Sequence, residues 1–200
     1  MTRVLLVRHA AHDWLGRGLA GRLEGVGLNP AGRQQAGALV ERLATCAIDA
    51  VYSSPQQRTR ETAVPLARAR GLPVQIDPAF DEIDFGSWTG RTFQQLQGDG
   101  ALWQDWVDRR SGACPPGGEP FQRVVARAEA GLDALVRRHP GGTLVVVSHG
   151  DVLKGLLARA LGMSLDHLER FELAPASVSD LVMEGSWAQV RCINSTAAGP

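Results

Sequence analysis

The chain has 200 residues, and its 21 lysines and arginines balance 21 aspartates and glutamates, giving a formal net charge of zero. That length suits one domain with a sizeable core, while the balanced charge supplies no electrostatic footprint for nucleic acid or an anionic membrane. Apolar runs fall far short of the roughly 20 residues of a membrane span, and Cys46, Cys114 and Cys192 are an odd number without C-x-x-C spacing, which argues against a disulfide framework or a thiolate zinc site.

The first predicted element is a buried strand, Val4-Leu5-Leu6-Val7, which ends in Arg8-His9. Thr2-Arg3 before so short a run is not a secretion signal, and a cytoplasmic protein is expected. A Gly-rich loop follows from Gly16 to Gly27. Asn29-Pro30 then opens a helix, as N-cap and first helical residue, with Ala36, Leu39, Val40 and Leu43 at helical spacing. A second short strand, Ile48 to Tyr52, runs into Ser53-Ser54-Pro55, a helix start, and that helix is predicted to reach Gly71. Val74-Gln75-Ile76 reads as a third strand. Residues 86–120, rich in Gly, Pro and Trp, read as an insertion that covers the site as a lid, with Trp103 and Trp106 packing it. A long amphipathic helix spans Phe121 to Arg138. Leu144 to Val147 is a second fully apolar strand, ending in Ser148-His149-Gly150, with a helix from Val152 to Leu161 after it. Val178 to Met183 and Ala188 to Ile193 form a closing strand pair joined by a Gly turn.

Strands alternating with helices predict an α/β fold, a three-layer α/β/α sandwich around a mostly parallel central sheet. One domain is expected over residues 1–193, with 194–200 a flexible tail. In such sheets the chemistry sits just beyond the carboxyl ends of the strands. Arg8 and His9, Ser53, Ser54 and Arg58, the Asp81-Glu82-Ile83-Asp84 run and His149 are all delivered to that edge, provided the strands are neighbours. Two arginines, two histidines and a carboxylate describe phosphoryl transfer. Guanidinium groups match phosphate oxygens, a histidine can attack phosphorus, and a carboxylic acid can protonate the leaving alcohol. H-x-x-H (His9, His12) and H-x-D (His149, Asp151) raise a metal hydrolase, but they lie on strand-exit loops without the helical H-E-x-x-H arrangement. His139 and His167 read as surface residues.

Leu6-Val7-Arg8-His9-Ala10 resembles the L-V-R-H-G signature of the histidine phosphatase superfamily, the phosphoglycerate-mutase-like fold. Four further blocks resemble the same family in the same order: Gly21-Arg22 with Leu28-Asn29 and Gly32 to Ala36; Ser53-Ser54-Pro55-Gln56-Gln57-Arg58 with Thr62-Ala63; Glu82 to Gly90; and Pro116-Gly117-Gly118-Glu119 with Val147-Ser148-His149-Gly150. The resemblance implies His9 as the nucleophile that becomes phosphohistidine, and Arg8, Arg58 and His149 as the groups that hold the phosphoryl oxygens. It implies Glu82 as general acid and base, with Asp84 the alternative. Glu82 should then sit in a partly dry pocket that raises its pKa, and His9 should be neutral, its second ring nitrogen donating to a backbone carbonyl. The substrate-binding set implied is Arg8, Arg58, His149, His12 and Arg22.

Two departures stand out. Ala10 replaces the glycine that usually follows the histidine, and Leu15 stands where many members carry a phosphate-contacting asparagine, with His12 or Arg17 as candidate replacements. The function implied is a metal-independent phosphomonoesterase of broad specificity on small-molecule monoesters, with no cofactor and no metal ligands. A cofactor-dependent phosphoglycerate mutase and a catalytically weak phosphate-binding module are the alternatives. Selectivity is expected from the Gly16–Gly27 loop, from Trp88, Leu102, Trp103 and Trp106, and from Lys154. The oligomeric state is left open, a homodimer included.

Overall fold

A computed structural model describes residues 1–185 and 187–196 of the chain. Six strands form one sheet: β1 (Thr2–Arg8), β2 (Ala50–Ser53), β3 (Val74–Ile76), β4 (Thr143–Ser148), β5 (Val178–Glu184) and β6 (Trp187–Ser195). Their order is β3-β2-β4-β1-β5-β6. The first four in that order run parallel, and β5 and β6 are antiparallel. The helices are α1 (Pro30–Arg42), α2 (Gln57–Ala69), α3 (Phe93–Gln97), α4 (Ala101–Asp108), α5 (Phe121–Arg138) and α6 (Gly150–Ala160).

Alternation along the strands builds the three layers, because successive side chains point to opposite faces. Leu5 and Val7 of β1 pack with Val51, Val145 and Val147 against Ala36 and Leu39 of α1 and Ala63 and Leu66 of α2. Val4 and Leu6 pack on the other face with Leu144 and Val146 against α5 and α6. Burial on both faces explains why β1 and β4 read as unbroken apolar runs rather than alternating ones. The expected three-layer α/β sandwich with a mostly parallel sheet is therefore the observed fold.

The register settles the condition set by the two histidines. β1 and β4 are adjacent and parallel, with Arg8 opposite Ser148, and His9 N–H donates to the Ser148 carbonyl at 2.9 Å. His9 and His149 thus leave neighbouring strands side by side. The helix after β1 starts as read: Asn29 Oδ1 accepts from Gly32 N–H at 2.9 Å, with Pro30 at the first helical position. Other boundaries moved. The second helix begins at Gln57, after Pro55, and the last helix begins at Gly150, directly on His149. Strand β6 includes Asn194 and Ser195, which the sequence placed in the tail. Residues 197–200 of that tail, and Ser186 in the predicted Gly turn, lie outside the described residues.

Residues 86–120 form a wall rather than a separate cover. Trp88, Leu96 and Trp106 are buried in the same core cluster as the sheet and α5. Trp88 and Trp103 meet edge to face at 5.5 Å, and Trp106 and Phe121 at 6.0 Å. A Gly18–Thr92 bridge ties the segment to the Gly16–Gly27 loop. His139 is half-buried, within 2.8 Å of the Tyr52 hydroxyl, not on the surface.

Candidate active site

Each functional side chain is delivered by a backbone device. Ala10 N–H donates to Thr62 Oγ1 at 2.9 Å, and Thr62 Oγ1 donates to the Arg58 carbonyl at 2.7 Å, fastening the loop after β1 to α2. Ala10 is fully buried and is not among the residues with positive φ, so alanine fits here without the backbone conformation that would demand glycine. Ser54 N–H donates to the Val147 carbonyl at 3.0 Å, setting α2 so that Arg58 points back under the strand ends. The acid loop carries Glu82 between buried Phe80 and Ile83. Its far side is closed by Gly86, at φ +52°, and Gly118, where a Cβ would lie 2.2 Å from the Asp84 carbonyl.

Arg8, His9, His12, Arg58 and Glu82 line one cleft of about 170 Å3, with Gly150 and Asp151 at the start of α6. His9 is buried, and its Nδ1 lies 2.9 Å from the Ala10 carbonyl. A carbonyl can only accept, so Nδ1 carries the proton and Nε2 keeps its lone pair for attack. Burial, then the charges of Arg58 and Arg8, hold the His9 pKa well below the ordinary imidazole range. The backbone acceptor anticipated for this ring is thus Ala10.

Two guanidinium groups share the cleft with His9. Arg58 is 1% exposed. Its Nη2 donates to the Gly21 carbonyl at 2.8 Å and lies 3.4 Å from Glu82 Oε2. Its Nε and Nη1 and the Nε of Arg8 are buried without a hydrogen-bond partner among the described residues, while Arg8 Nη1 donates to the Leu173 carbonyl. Leaving such donors buried and unpaired costs about 1–3 kcal/mol each, more when they are charged. Three of them on two arginines that line the cleft with His9 suit an anion that accepts several hydrogen bonds.

His149 is fully buried, its ring 5.3 Å from that of His9. Nε2 lies 2.8 Å from Ser54 Oγ, and Nδ1 lies 3.1 Å from Arg58 Nη2 and 3.3 Å from Glu82 Oε2. A hydroxyl donates or accepts, so Ser54 supports either neutral tautomer and lets Nδ1 serve as acceptor or donor on the Arg58 side. Burial, followed by the Arg58 charge, keeps this imidazole neutral well below its ordinary pKa. His12 is the third buried imidazole, 4.9 Å from His9. Its Nδ1 accepts from Trp14 N–H at 3.2 Å, so the neutral ring carries its proton on Nε2. Burial, with Arg58 and Arg8 acting in the same direction, lowers its pKa to about 4.

Glu82 has its pKa pushed up to about 7, chiefly by burial, with the Arg58 charge opposing and Asp151 assisting. Asp84 is not placed as an acid: its side chain is half-exposed and Oδ1 accepts from Gly86 N–H at 3.0 Å. Arg22 stands outside the cleft. Its Nε donates to the Glu82 carbonyl at 2.8 Å and its Nη2 to Glu119 Oε1 at 2.8 Å, so it holds the acid loop rather than substrate. Arg127 does the same from α5, with 3.1 Å to the Glu82 carbonyl and 2.8 Å to Glu119 Oε1. Glu119 and Thr62 belong to the sequence motifs without a task assigned there, and Arg127 carries no motif signal at all. Lys154 pairs with Glu169 at 3.5 Å, away from the cleft. The expected selectivity residues Trp88, Leu102, Trp103 and Trp106 do not line the cleft; Trp14, Leu15, Leu19, Phe85 and Phe93 line it, of which only Leu19 lies in the Gly16–Gly27 loop expected to do so.

Residues 4–196 match the histidine phosphatase superfamily (branch 1). The chain belongs to that family. Among its relatives, a bifunctional protein of Mycobacterium tuberculosis is 38% identical over 205 residues, covering 98% of this chain and 54% of that protein. The chain thus spans about half the length of that relative. Phosphoserine phosphatase 1 of Hydrogenobacter thermophilus is 32% identical, with 92% of this chain and 88% of that protein covered. The solved structure of YhfR from Bacillus stearothermophilus superposes with a TM-score of 0.92 at 30% identity, covering 99% of this chain and 98% of that one. Among the described residues, no helix is long and apolar enough to cross a membrane.

Proposed function

We propose that this chain hydrolyses small-molecule phosphate monoesters through a phosphohistidine on His9, using its own side chains and no metal ion. The observation that carries this reading is the His9 imidazole, locked by Ala10 with Nε2 free, in a cleft also lined by Arg8 and Arg58, which hold three buried, unpartnered guanidinium nitrogens between them. Family membership and the phosphatase named among the relatives support it.

Arg8 and Arg58 bind the phosphoryl oxygens and gain strength as charge builds on them in the transition state. His9 Nε2 attacks phosphorus while the P–O bond to the alcohol breaks. Glu82, raised to about 7, gives its proton to the departing oxygen. The Ala10 carbonyl, still accepting from Nδ1, steadies the positive charge of the phosphorylated ring. Glu82, now ionised, takes a proton from water as that water attacks phosphorus. The P–N bond breaks, leaving inorganic phosphate, neutral His9 and protonated Glu82.

A cleft of about 170 Å3 is below the roughly 300 Å3 of ordinary ligand pockets. It suits the phosphate and the first atoms of the alcohol, with larger groups resting on Trp14, Leu15 and Phe93. Apolar contacts discriminate by about 1–3 kcal/mol per methylene, so broad specificity for alcohol size belongs to this reading. Mutase chemistry would need further cations for a second anion, but Arg22 is engaged by Glu119 and Arg91 by Asp99. A cytoplasmic location is part of the proposal, supported by three free thiols, two of them exposed. Hydrolysis of p-nitrophenyl phosphate after exhaustive chelation tests the proposal. Full activity, abolished in His9→Ala, is expected; loss that zinc or manganese restores would overturn the metal-free route.

A further inference from the structure

Asp151 is the one carboxylate on the cleft wall that the proposed reaction does not use. It occupies the second position of α6, two residues after His149. An acidic residue there complements the helix dipole, and a side chain turned to solvent would satisfy that task. Here Asp151 lines the cleft and is held by a bond from another element. Arg110 Nη1 donates to Asp151 Oδ2 at 2.9 Å, and Oδ1 has no protein donor among the described residues. Arg110 is itself fixed: Nε donates to the Trp106 carbonyl at 2.8 Å, and the guanidinium lies 4.4 Å over the Trp106 ring. The carboxylate is thus carried on a buried, stacked support.

The rest of the cleft makes its charge matter. Among the described residues, Arg8 and Arg58 are the only lysines or arginines lining it, and both belong to the proposed phosphate end. Asp151 acts electrostatically on both Arg8 and Glu82. The alcohol of a bound monoester therefore meets apolar side chains and one carboxylate, Asp151, which Arg110 engages through Oδ2 alone.

Resting on the phosphatase reading of this site, we infer that Asp151 is a specificity-determining residue. It accepts a hydrogen bond from a hydroxyl or ammonium group on the alcohol half of the monoester, and it repels a second anionic group there. The substrate class is a phosphate monoester of a polyol or amino alcohol that carries no further carboxylate or phosphate. Arg17, exposed on the loop after β1, is the competing influence, since a second anion could be drawn to it.

Matched pairs test this: glycerol 3-phosphate against 3-phosphoglycerate, and phosphoethanolamine against phosphoserine. Both members of each pair keep the hydroxyl or ammonium and differ in the added carboxylate, so like-charge repulsion by Asp151 should make the wild-type chain favour the first of each pair in kcat/KM by about 10- to 100-fold. Asp151→Asn, which keeps the shape and an acceptor oxygen but loses the charge, should bring both ratios close to one. A ratio within one variant is unaffected by lost activity or a reduced folded fraction, so a merely structural Asp151 would leave it unmoved. Equal use of both members by the wild type, or ratios unchanged in Asp151→Asn, would overturn the inference. So would a preference for the anionic member that Arg17→Ala removes. The same pairs are titrated calorimetrically into His9→Ala with and without Asp151→Asn, where the dissociation constants should show the same preference and its loss. Failure to hydrolyse any monoester, p-nitrophenyl phosphate included, would sink the phosphatase reading, and the binding ratios alone would then decide the role of Asp151.

Discussion

Glu82 ties the pH dependence to a single group. With its pKa at about 7, it is protonated below that pH and loses its proton above it. The step that needs an acid should therefore slow as pH rises through 7. For alkyl monoesters, kcat/KM should show a basic limb near pH 7 that Glu82→Gln removes, together with a rate loss of about 10²–10⁴-fold. p-Nitrophenolate leaves without protonation, so its ester should lose little. Equal losses on both ester types would assign Glu82 to positioning. Glu119→Gln tests the support beneath it. Arg22 and Arg127 converge on Glu119 Oε1 and on the Glu82 carbonyl, so loosening them should also cost alkyl esters more than aryl ones. An unchanged alkyl-to-aryl ratio would leave the Glu119 cluster no part in holding the acid.

At this scale the residues gathered around the cleft were legible because strand ends and helix starts announce themselves locally. Arg8, His9, Arg58 and His149 each follow an apolar strand or open a helix. Arg22, expected as a substrate contact, is bonded instead to Glu119, a partner 97 residues away. A long-range ion pair leaves no periodic trace in a sequence, and Asp151 with Arg110, 41 residues apart, is the same case.

Among the elements, the 86–120 segment changes most between sequence and structure. Its Gly, Pro and Trp content reads as an insertion that covers the site, yet Trp88 and Trp106 are each 1% exposed in the main core. Tryptophan is ambiguous in sequence because a ring that covers a cleft and a ring that fills a core have the same composition signature. Trp106→Ala should cost about 3–5 kcal/mol of global stability, as for a large buried aromatic, read as a lower urea midpoint for the whole unfolding transition. A separate early transition with the main midpoint unmoved would restore the segment to a detachable lid. The strand and helix alternation, by contrast, was readable almost throughout, because burial of β1 and β4 on both faces imposes unbroken apolar runs.

For the whole molecule, the same desolvation that tunes the site sets acid stability. His9, His12 and His149 all have folded-state pKa values lowered from the ordinary 6.5. As pH falls below 6.5 the unfolded chain takes up protons that the folded site refuses, so stability falls. Glu82 opposes this between 7 and 4.5, where the folded state binds a proton that the unfolded state does not. Three imidazoles outweigh one carboxyl, so the urea midpoint should drop from pH 6.5 toward 4.5, and His12→Asn should flatten the slope. A midpoint that holds constant over that range would contradict the burial of these rings. Anion binding should act the other way: phosphate or orthovanadate, bound only by the folded site, should raise Tm with concentration, and Arg58→Ala should lose that rise.

The covalent intermediate is the central claim, and rapid mixing with radiolabelled p-nitrophenyl phosphate followed by an alkaline quench reads it directly. The label should appear on the chain within a turnover, resist base, release in acid, map by peptide analysis to His9 and be absent from His9→Ala. Label on Ser53 or Ser54, or full turnover with no label on the chain at any time, would contradict a nucleophilic His9.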